Sequence, residues 1–205
     1  MQWRLLHEAN LKALYDCDVV RDFPATERKP FSNMTYMLSS SAYHAWGVFD
    51  DAADGESGPL AGLRAYLLVA CPANCRAVLL DYFAVLPAWR SAGLGAALVA
   101  ELSAREEAPV LLEVEWPAHA PDAALAERRL NFYRRCGAHL TGGWDRAYRG
   151  LFVVMVLPGG APMSDREADE ELCRCYRAML PGAELNENFA YGRLNVEDLR
   201  KLGEA

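Results

Sequence analysis

Arg90, Gly93 and Gly95 stand where an apolar run gives way to a helical one, in the stretch Leu79 to Leu98, LLDYFAVLPAWRSAGLGAAL. That order of residue types makes a cradle for an anion. Glycine lets the backbone turn sharply and approach a ligand closely, and the first N–H groups of the following helix have no acceptor inside it. A pyrophosphate can take those donors, helped by the positive end of the helix dipole, with Arg90 supplying a full charge just before the turn. The spacing R-x-x-G-x-G is neither the dinucleotide fingerprint G-x-G-x-x-G nor the phosphate loop G-x-x-x-x-G-K-[ST], so those two nucleotide-binding readings do not fit.

Further on, a strand ends in Glu113-Val114-Glu115, which puts two carboxylates on one side at period two. A helix then ends in Asn131-Phe132-Tyr133-Arg134-Arg135-Cys136-Gly137-Ala138. The cradle and this F-Y-x-x-x-G helix end, with a helix and a strand between them, resemble the two signatures of the GNAT superfamily of N-acetyltransferases. The resemblance is clear over Leu60 to Pro158 and holds by general layout before it.

That resemblance implies an α/β (α+β) fold of the GNAT acyl-CoA N-acyltransferase type, a mixed, mostly antiparallel sheet with a splayed parallel pair and helices on both faces. It implies acetyl-CoA as cosubstrate, its pantetheine arm paired to the strand end Phe83, Ala84 and Val85, whose backbone groups polarise the thioester carbonyl as an oxyanion hole. Arg90, Ser91, Ala92, Gly93, Leu94, Gly95 and Ala96 would cradle the pyrophosphate. Tyr133 would stand near the coenzyme sulfur, binding the coenzyme and acting as general acid. The implied reaction is direct acetyl transfer to a primary amine of a small molecule or peptide, with no covalent intermediate. A non-catalytic CoA-binding or dimerising module of the same fold is the alternative, because the cradle can persist without a base.

An amine that titrates near about 10 needs a base at neutral pH. Glu115 is the first candidate. Glu113 shares its side of the strand, Asp81 and Tyr82 lie on the neighbouring strand, and His119 lies in the following loop. Each has a structural reading too: Glu113 can pair with Arg128 or Arg129, and Tyr133 fits the helix register as a core aromatic. In the family the linker between the first two helices lies over the acceptor, which puts Phe23, Glu27 and Arg28 on the acceptor side; two prolines and a polar surface loop account for them nearly as well. Cys136 reads as a small core residue, since a cysteine nucleophile wants a histidine beside it. The chain departs from the family pattern between Val114 and Tyr133, where the connection is longer, lacks the usual Asn shortly before the tyrosine, and carries the insert Trp116-Pro117-Ala118-His119-Ala120-Pro121-Asp122. The departure bears on the acceptor rather than on the coenzyme.

The 205 residues are 52% hydrophobic and carry a formal net charge of -7. An acidic chain repels phosphate backbones and anionic lipid, which points away from nucleic acid and membrane partners and toward an amine-bearing acceptor. With no run of about eighteen apolar residues and no basic-then-apolar start, a soluble, cytoplasmic protein is expected. The six cysteines include Cys71-x-x-x-Cys75 and Cys173-x-Cys175, neither at zinc-ligand spacing, so reduced structural thiols and no metal are expected.

Asn10 is a competent N-cap for a first helix carrying Leu11, Leu14 and Tyr15 to about Cys17; Asp18 to Ser32 reads as irregular, and Met34, Met37 and Leu38 as a second short helix. Tyr43 to Phe49, Leu60 to Ala70 and Ala77 to Leu86 predict an antiparallel meander, with an exposed acidic loop over Asp50 to Pro59. Leu94, Ala97, Leu98 and Leu102 trace one face of the helix after the cradle, and Val110 to Val114 a buried strand parallel to the one before it. Leu125, Arg129, Phe132, Tyr133 and Cys136 give the next helix, ended by Gly137, and Ala138 to Trp144 with Leu151 to Leu157 a closing hairpin. Residues 1–158 are thus read as the transferase domain. Residues 159–205 are read as a helical extension, opened by the capping box Ser164-Asp165-Arg166-Glu167, that packs on the domain or on a second subunit in a homodimer.

Overall fold

The computed structural model describes residues 1–50, 58–90, 93–180 and 182–203. A first strand, β1 (Gln2–Leu5), pairs antiparallel to β2 (Tyr43–Phe49); its side chains are mostly exposed, so no alternating apolar pattern marks it in the sequence. The bond from Leu6 N–H to Ala45 O, 2.7 Å, holds the chain on the sheet, and α1 (Glu8–Leu14) therefore starts after His7 rather than after Asn10. Asn10 lies inside α1 and its amide donates to Pro59 O at 3.2 Å.

The helix also continues beyond Cys17, through a π-helical turn, Tyr15–Val19, into α2 (Val20–Asp22). The wider turn brings Val19 into the core with Leu11 and Leu14, where a strict α-helical step would have brought Asp18. The irregular segment expected from Asp18 is thus confined to residues 23–30, before α3 (Phe31–Ser39), which buries Met34 and Met37.

β2, β3 (Leu63–Ala70) and β4 (Val78–Val85) form the antiparallel meander. β3 begins at Leu63 rather than Leu60 because bonds from Ala61 N–H to Gly58 O and from Leu63 N–H to Leu60 O hold the preceding residues in turns. Of the acidic loop, residues 51–57 lie outside the described residues, as do Ser91 and Ala92 of the cradle and Pro181 of the tail.

A 3-10 turn, Pro87–Trp89, leads to α4 (Leu94–Glu106), and β5 (Val110–Glu115) returns parallel to β4. α4 buries Leu98, Val99 and Leu102 while Ala97 is exposed, so its apolar face is turned from the one expected. α5 (Ala123–Arg135) is capped by Asp122, whose carboxylate accepts from Leu125 N–H at 2.9 Å, and Gly137 follows it at φ +94°. β6 (His139–Ala147) and β7 (Gly150–Leu157) make the closing hairpin, with β7 placed between β5 and β6. α6 (Asp165–Met179) opens on the capping box, Ser164 and Glu167 bonding each other's backbone. After α7 (Gly182–Asn188), β8 (Phe189–Arg193) adds to β6, and α8 (Val196–Lys201) follows, so the residues after Pro158 pack on the chain's own sheet. No described helix is long and apolar enough to cross a membrane.

The sheet order is β1-β2-β3-β4-β5-β7-β6-β8, and β4–β5 is its parallel pair. Side chains of a strand alternate between faces, so β5 divides its residues. Val110, Leu112 and Val114 pack with Leu98, Leu102 and Leu130 of α4 and α5, and Leu111 joins Leu11, Met34 and Leu172 on the other face. Glu113 follows Leu111 to that second side, where Tyr176 of α6 meets it, and Glu115 lies at the strand end.

Candidate active site

β4 and β5 pair only from Val78 opposite Val110 to Leu80 opposite Leu112; beyond that β4 runs on to Val85 and β5 to Glu115 without meeting. The splay leaves the β5-facing edge of Tyr82 to Val85 unpaired, while β3 satisfies the other edge. A cavity of about 880 Å³ opens there. One wall includes Phe83, Ala84, Val85, Gly93, Gly95 and Ala96, and the far wall Glu115, Phe132 and Tyr133.

Gly93 occupies the position before α4 at φ +77°, in the left-handed region that disfavours a side chain. The first intrahelical bond runs from Ala97 N–H to Gly93 O at 3.2 Å, so the amides of Leu94, Gly95 and Ala96 lie ahead of it and face outward along the helix axis. The Leu94 side chain packs into the core on the α4 face rather than lining the cavity.

Arg90 lines the cavity, but its charge already has a partner. Its guanidinium donates to Val85 O at 2.8 Å and to Asp22 at 3.3 Å. Asp22, nearly buried at the end of α2, also accepts from Arg21 and from the Tyr66 hydroxyl at 3.1 Å. The cation ahead of the helix is therefore balanced by a carboxylate from the segment expected on the acceptor side. Arg21, Arg128 and Arg135 add further positive charge to the lining.

The carboxylates are sorted by their partners. Arg129 takes Glu115 in an ion pair, and Glu113 meets neither Arg128 nor Arg129. Beside Glu115 lies Glu27, from the segment between α2 and α3; burial first, and then the Glu115 charge against the relief from Arg129, pushes its carboxyl up to about 7. Glu113 accepts from the Tyr176 hydroxyl at 2.7 Å and has Asp145 as a charged neighbour; burial raises both carboxyls. Asp81 is occupied as well, in a buried ion pair with Lys29 and as acceptor of the Tyr43 hydroxyl at 2.6 Å. Tyr82 acts as a clamp on the same segment, its hydroxyl accepting from Lys29 N–H at 2.7 Å and donating to Glu27 O at 3.1 Å.

Phe23 reaches the cavity, edge-on to the Tyr82 ring at 4.9 Å. Arg28 does not line it, and neither does His119, which packs edge-on against Trp116 at 4.7 Å. Tyr133 lines the cavity with its phenol pushed up by burial, a state in which it holds its proton. Burial also raises the Cys136 thiol, the opposite of an activated nucleophile.

Lys29, Tyr148, Tyr176 and Asp145 belong to this region without having been singled out in the sequence. Lys29 Nζ sits among the rings of Tyr82, Tyr148 and Tyr176 at 5.6, 5.9 and 5.5 Å, surrounded by residues from three separate segments. Tyr176 recurs at helical spacing in α6, which reads equally well as plain core.

A mostly antiparallel sheet that splays at one parallel pair, with a glycine-opened helix at the splay, is the fold of the GNAT N-acetyltransferases. The chain is similar in structure to an acetyltransferase of the GNAT family from Bacteroides thetaiotaomicron, at TM-score 0.61 and 18% identity over 83% of this chain and 93% of that one. It is also similar to the ribosomal-protein-S18-alanine N-acetyltransferase of Escherichia coli (TM-score 0.54, 20% identity, 79% and 96% of the two chains). A third similar structure is the spermidine N-acetyltransferase of Vibrio cholerae in complex with CoA and spermine (TM-score 0.53, 12% identity, 76% and 94%). No protein-family model matches the sequence, and no curated protein does.

Proposed function

We propose that the protein is a cytoplasmic, acetyl-CoA-dependent N-acetyltransferase whose acceptor is a primary amine of a small molecule or peptide. The observation that carries this reading is the single cavity that joins an unpaired β4 edge and the opening of α4 on one side to Glu27, Glu115 and Tyr133 on the other. The residues fit acetyl-CoA. The amides ahead of the first bond of α4, with Arg90, suit its pyrophosphate, and the splayed edge at Phe83, Ala84 and Val85, where Arg90 holds the Val85 carbonyl, suits its pantetheine amides and thioester carbonyl.

In this reading the acceptor nitrogen attacks the thioester carbon while its proton passes to Glu27. A carboxyl near neutrality is a suitable proton acceptor at physiological pH, whereas Glu115, fixed on Arg129, serves to raise it. The ion pair thus shifts the proton-accepting role from Glu115, where the strand position had put it, to its neighbour. Tyr133 gives its proton to the departing thiolate. The solved relative that holds CoA supports coenzyme binding, and a raised carboxyl at Glu27 beside Glu115 supports an acceptor that must lose a proton.

A panel of primary amines incubated with acetyl-CoA and assayed for free thiol is the test. Release that depends on a particular amine supports the proposal. Coenzyme binding without amine-dependent release would make the protein a non-catalytic CoA-binding module, and absence of coenzyme binding would leave only the shared fold.

A further inference from the structure

The sulfurs of Cys75 and Cys175 face each other across 3.4 Å, although 100 positions separate them in the chain. Cys75 lies half-buried in the turn between β3 and β4, and Cys175 lies buried on α6. Three further contacts hold that turn against that helix. Arg76 N–H donates to Glu171 at 2.6 Å, the Arg76 guanidinium reaches Glu167 at 3.2 Å, and Arg174 reaches Asn74 O at 3.5 Å. The sulfurs are therefore brought face to face by elements fixed independently of them.

Their surroundings differ in a useful way. The Cys175 thiol donates to the Cys75 sulfur, and that bond, with help from Arg174, lowers the Cys75 thiol despite its partial burial and the nearby Glu171. The Cys175 thiol is pushed up by the same bond and by burial. The accessible member is thus the better nucleophile, and the buried one stands behind it with a proton to give.

We propose that Cys75 and Cys175 form a reversible thiol–disulfide pair, closed by a hydroperoxide, that clasps α6 to the β3–β4 turn. The Cys75 thiolate attacks one peroxide oxygen, the O–O bond breaks, and a sulfenic acid and hydroxide are left, the latter taking a solvent proton. The Cys175 sulfur then attacks the Cys75 sulfur, the S–S bond forms, the S–O bond breaks, and the oxygen leaves as water with the Cys175 proton. The two sulfurs give up two electrons and the peroxide takes them. Closing the bridge brings the sulfurs from 3.4 Å to about 2.05 Å, a displacement a surface turn absorbs. The bridge fixes the helix carrying Tyr176, the next residue, whose hydroxyl bonds Glu113 in the cavity wall. Nothing in this inference rests on the proposed reaction.

The test treats the reduced full-length chain with hydrogen peroxide. The expected product is lighter by two hydrogens, and trypsin without reductant releases the peptide Ala65–Arg76 joined to the peptide Cys175–Arg177. Dithiothreitol reverses the link, and the bridged form melts higher than the reduced form by roughly 5 to 15 °C. Because the first peptide also contains Cys71, Cys71→Ser must keep the link and the higher melting point, and Cys75→Ser must lose both. Cys175→Ala, should it fold poorly, leaves the result from the more exposed Cys75→Ser standing. A link through Cys71, a Cys75 sulfinic acid beside a free Cys175 thiol, bridging only in urea, or an unchanged melting point would each overturn the proposal.

Discussion

On the β4–α4 side of the cavity the groups that matter are backbone atoms: an unpaired strand edge from Tyr82 to Val85 and the amides that open α4 behind Gly93. On the opposite side they are side chains brought from far apart, with Glu27 from the α2–α3 segment, Glu115 from β5, Arg129 and Tyr133 from α5, and Tyr176 from α6. A backbone site depends on conformation and tolerates change at most positions. A side-chain site depends on each residue's charge and partners, and in the proposed reading the acceptor wall is therefore where one substitution would retune chemistry without touching the coenzyme.

The largest effect is expected where the backbone itself is forced. Gly93→Val puts a branched residue at φ +77°, a strain of about 1–3 kcal/mol, and fills the approach to the first α4 amides. Among the described residues, chain neighbours aside, a Cβ there meets no atom within 4 Å, so the fold is expected to survive. Calorimetry should show acetyl-CoA affinity reduced beyond detection, and a folded variant with unchanged affinity would remove the coenzyme side of the contrast.

Next in size is Tyr133→Phe, on the far wall, where turnover should drop about ten- to ten-thousand-fold with coenzyme affinity nearly constant, as for loss of a general acid. Wild-type turnover would return Tyr133 to the core. Glu27→Gln should lower turnover by about ten- to a hundredfold and abolish the rise in rate through pH 7, moving the optimum up toward the pKa of the amine itself. It should also change stability with a definite sign. Glu27 keeps its proton to about pH 7 when folded and to 4.5 otherwise, so the stability it contributes is complete below pH 4.5 and lost as pH rises through 7. The variant should therefore melt above wild type at pH 8 and level with it at pH 4.

Glu115→Gln sharpens the acceptor side further. With the neighbouring charge gone, Glu27 is easier to ionise, so the acid limb of the rate profile should move down in pH with a loss of turnover below about tenfold. A limb that disappears instead would put the proton on Glu115. The smallest effect belongs to Arg90→Ala. Its pair with Asp22 is long, at 3.3 Å, and exposed on the arginine side, so it is worth about 1 kcal/mol, and coenzyme affinity should weaken by less than about tenfold, measured in the same calorimeter.

The contrast also explains what could be read from the chain. The strand, turn and helix of the expected cradle were legible because their information is local: all three occur within Leu79 to Leu98, and Phe132-Tyr133 with Gly137 likewise share one helix end. Glu27 could be suspected only as part of a segment over the acceptor, because its raised carboxyl comes from burial and from Glu115, which no short stretch encodes. The partners of Asp81 and Glu113 were hidden for the same reason, since Lys29, Tyr43, Asp145 and Tyr176 lie on other elements. At the N-terminus the sheet overrode the local signal: Asn10 is a good cap, yet the bond from Leu6 to Ala45 had already fixed where the helix starts.

Asp22 ties these two walls together. It ends α2, immediately before Phe23, and holds Arg90 at the entrance to the glycine turn. An anion that draws Arg90 toward itself loosens the anchor of the chain segment that carries Phe23 and Glu27. Thermodynamic linkage makes such an influence mutual: an amine that favours the loosened segment must tighten the anion by the same factor. One aspartate would then be enough to make the two ligands sense each other's presence across a cavity in which they meet only at the reacting atoms.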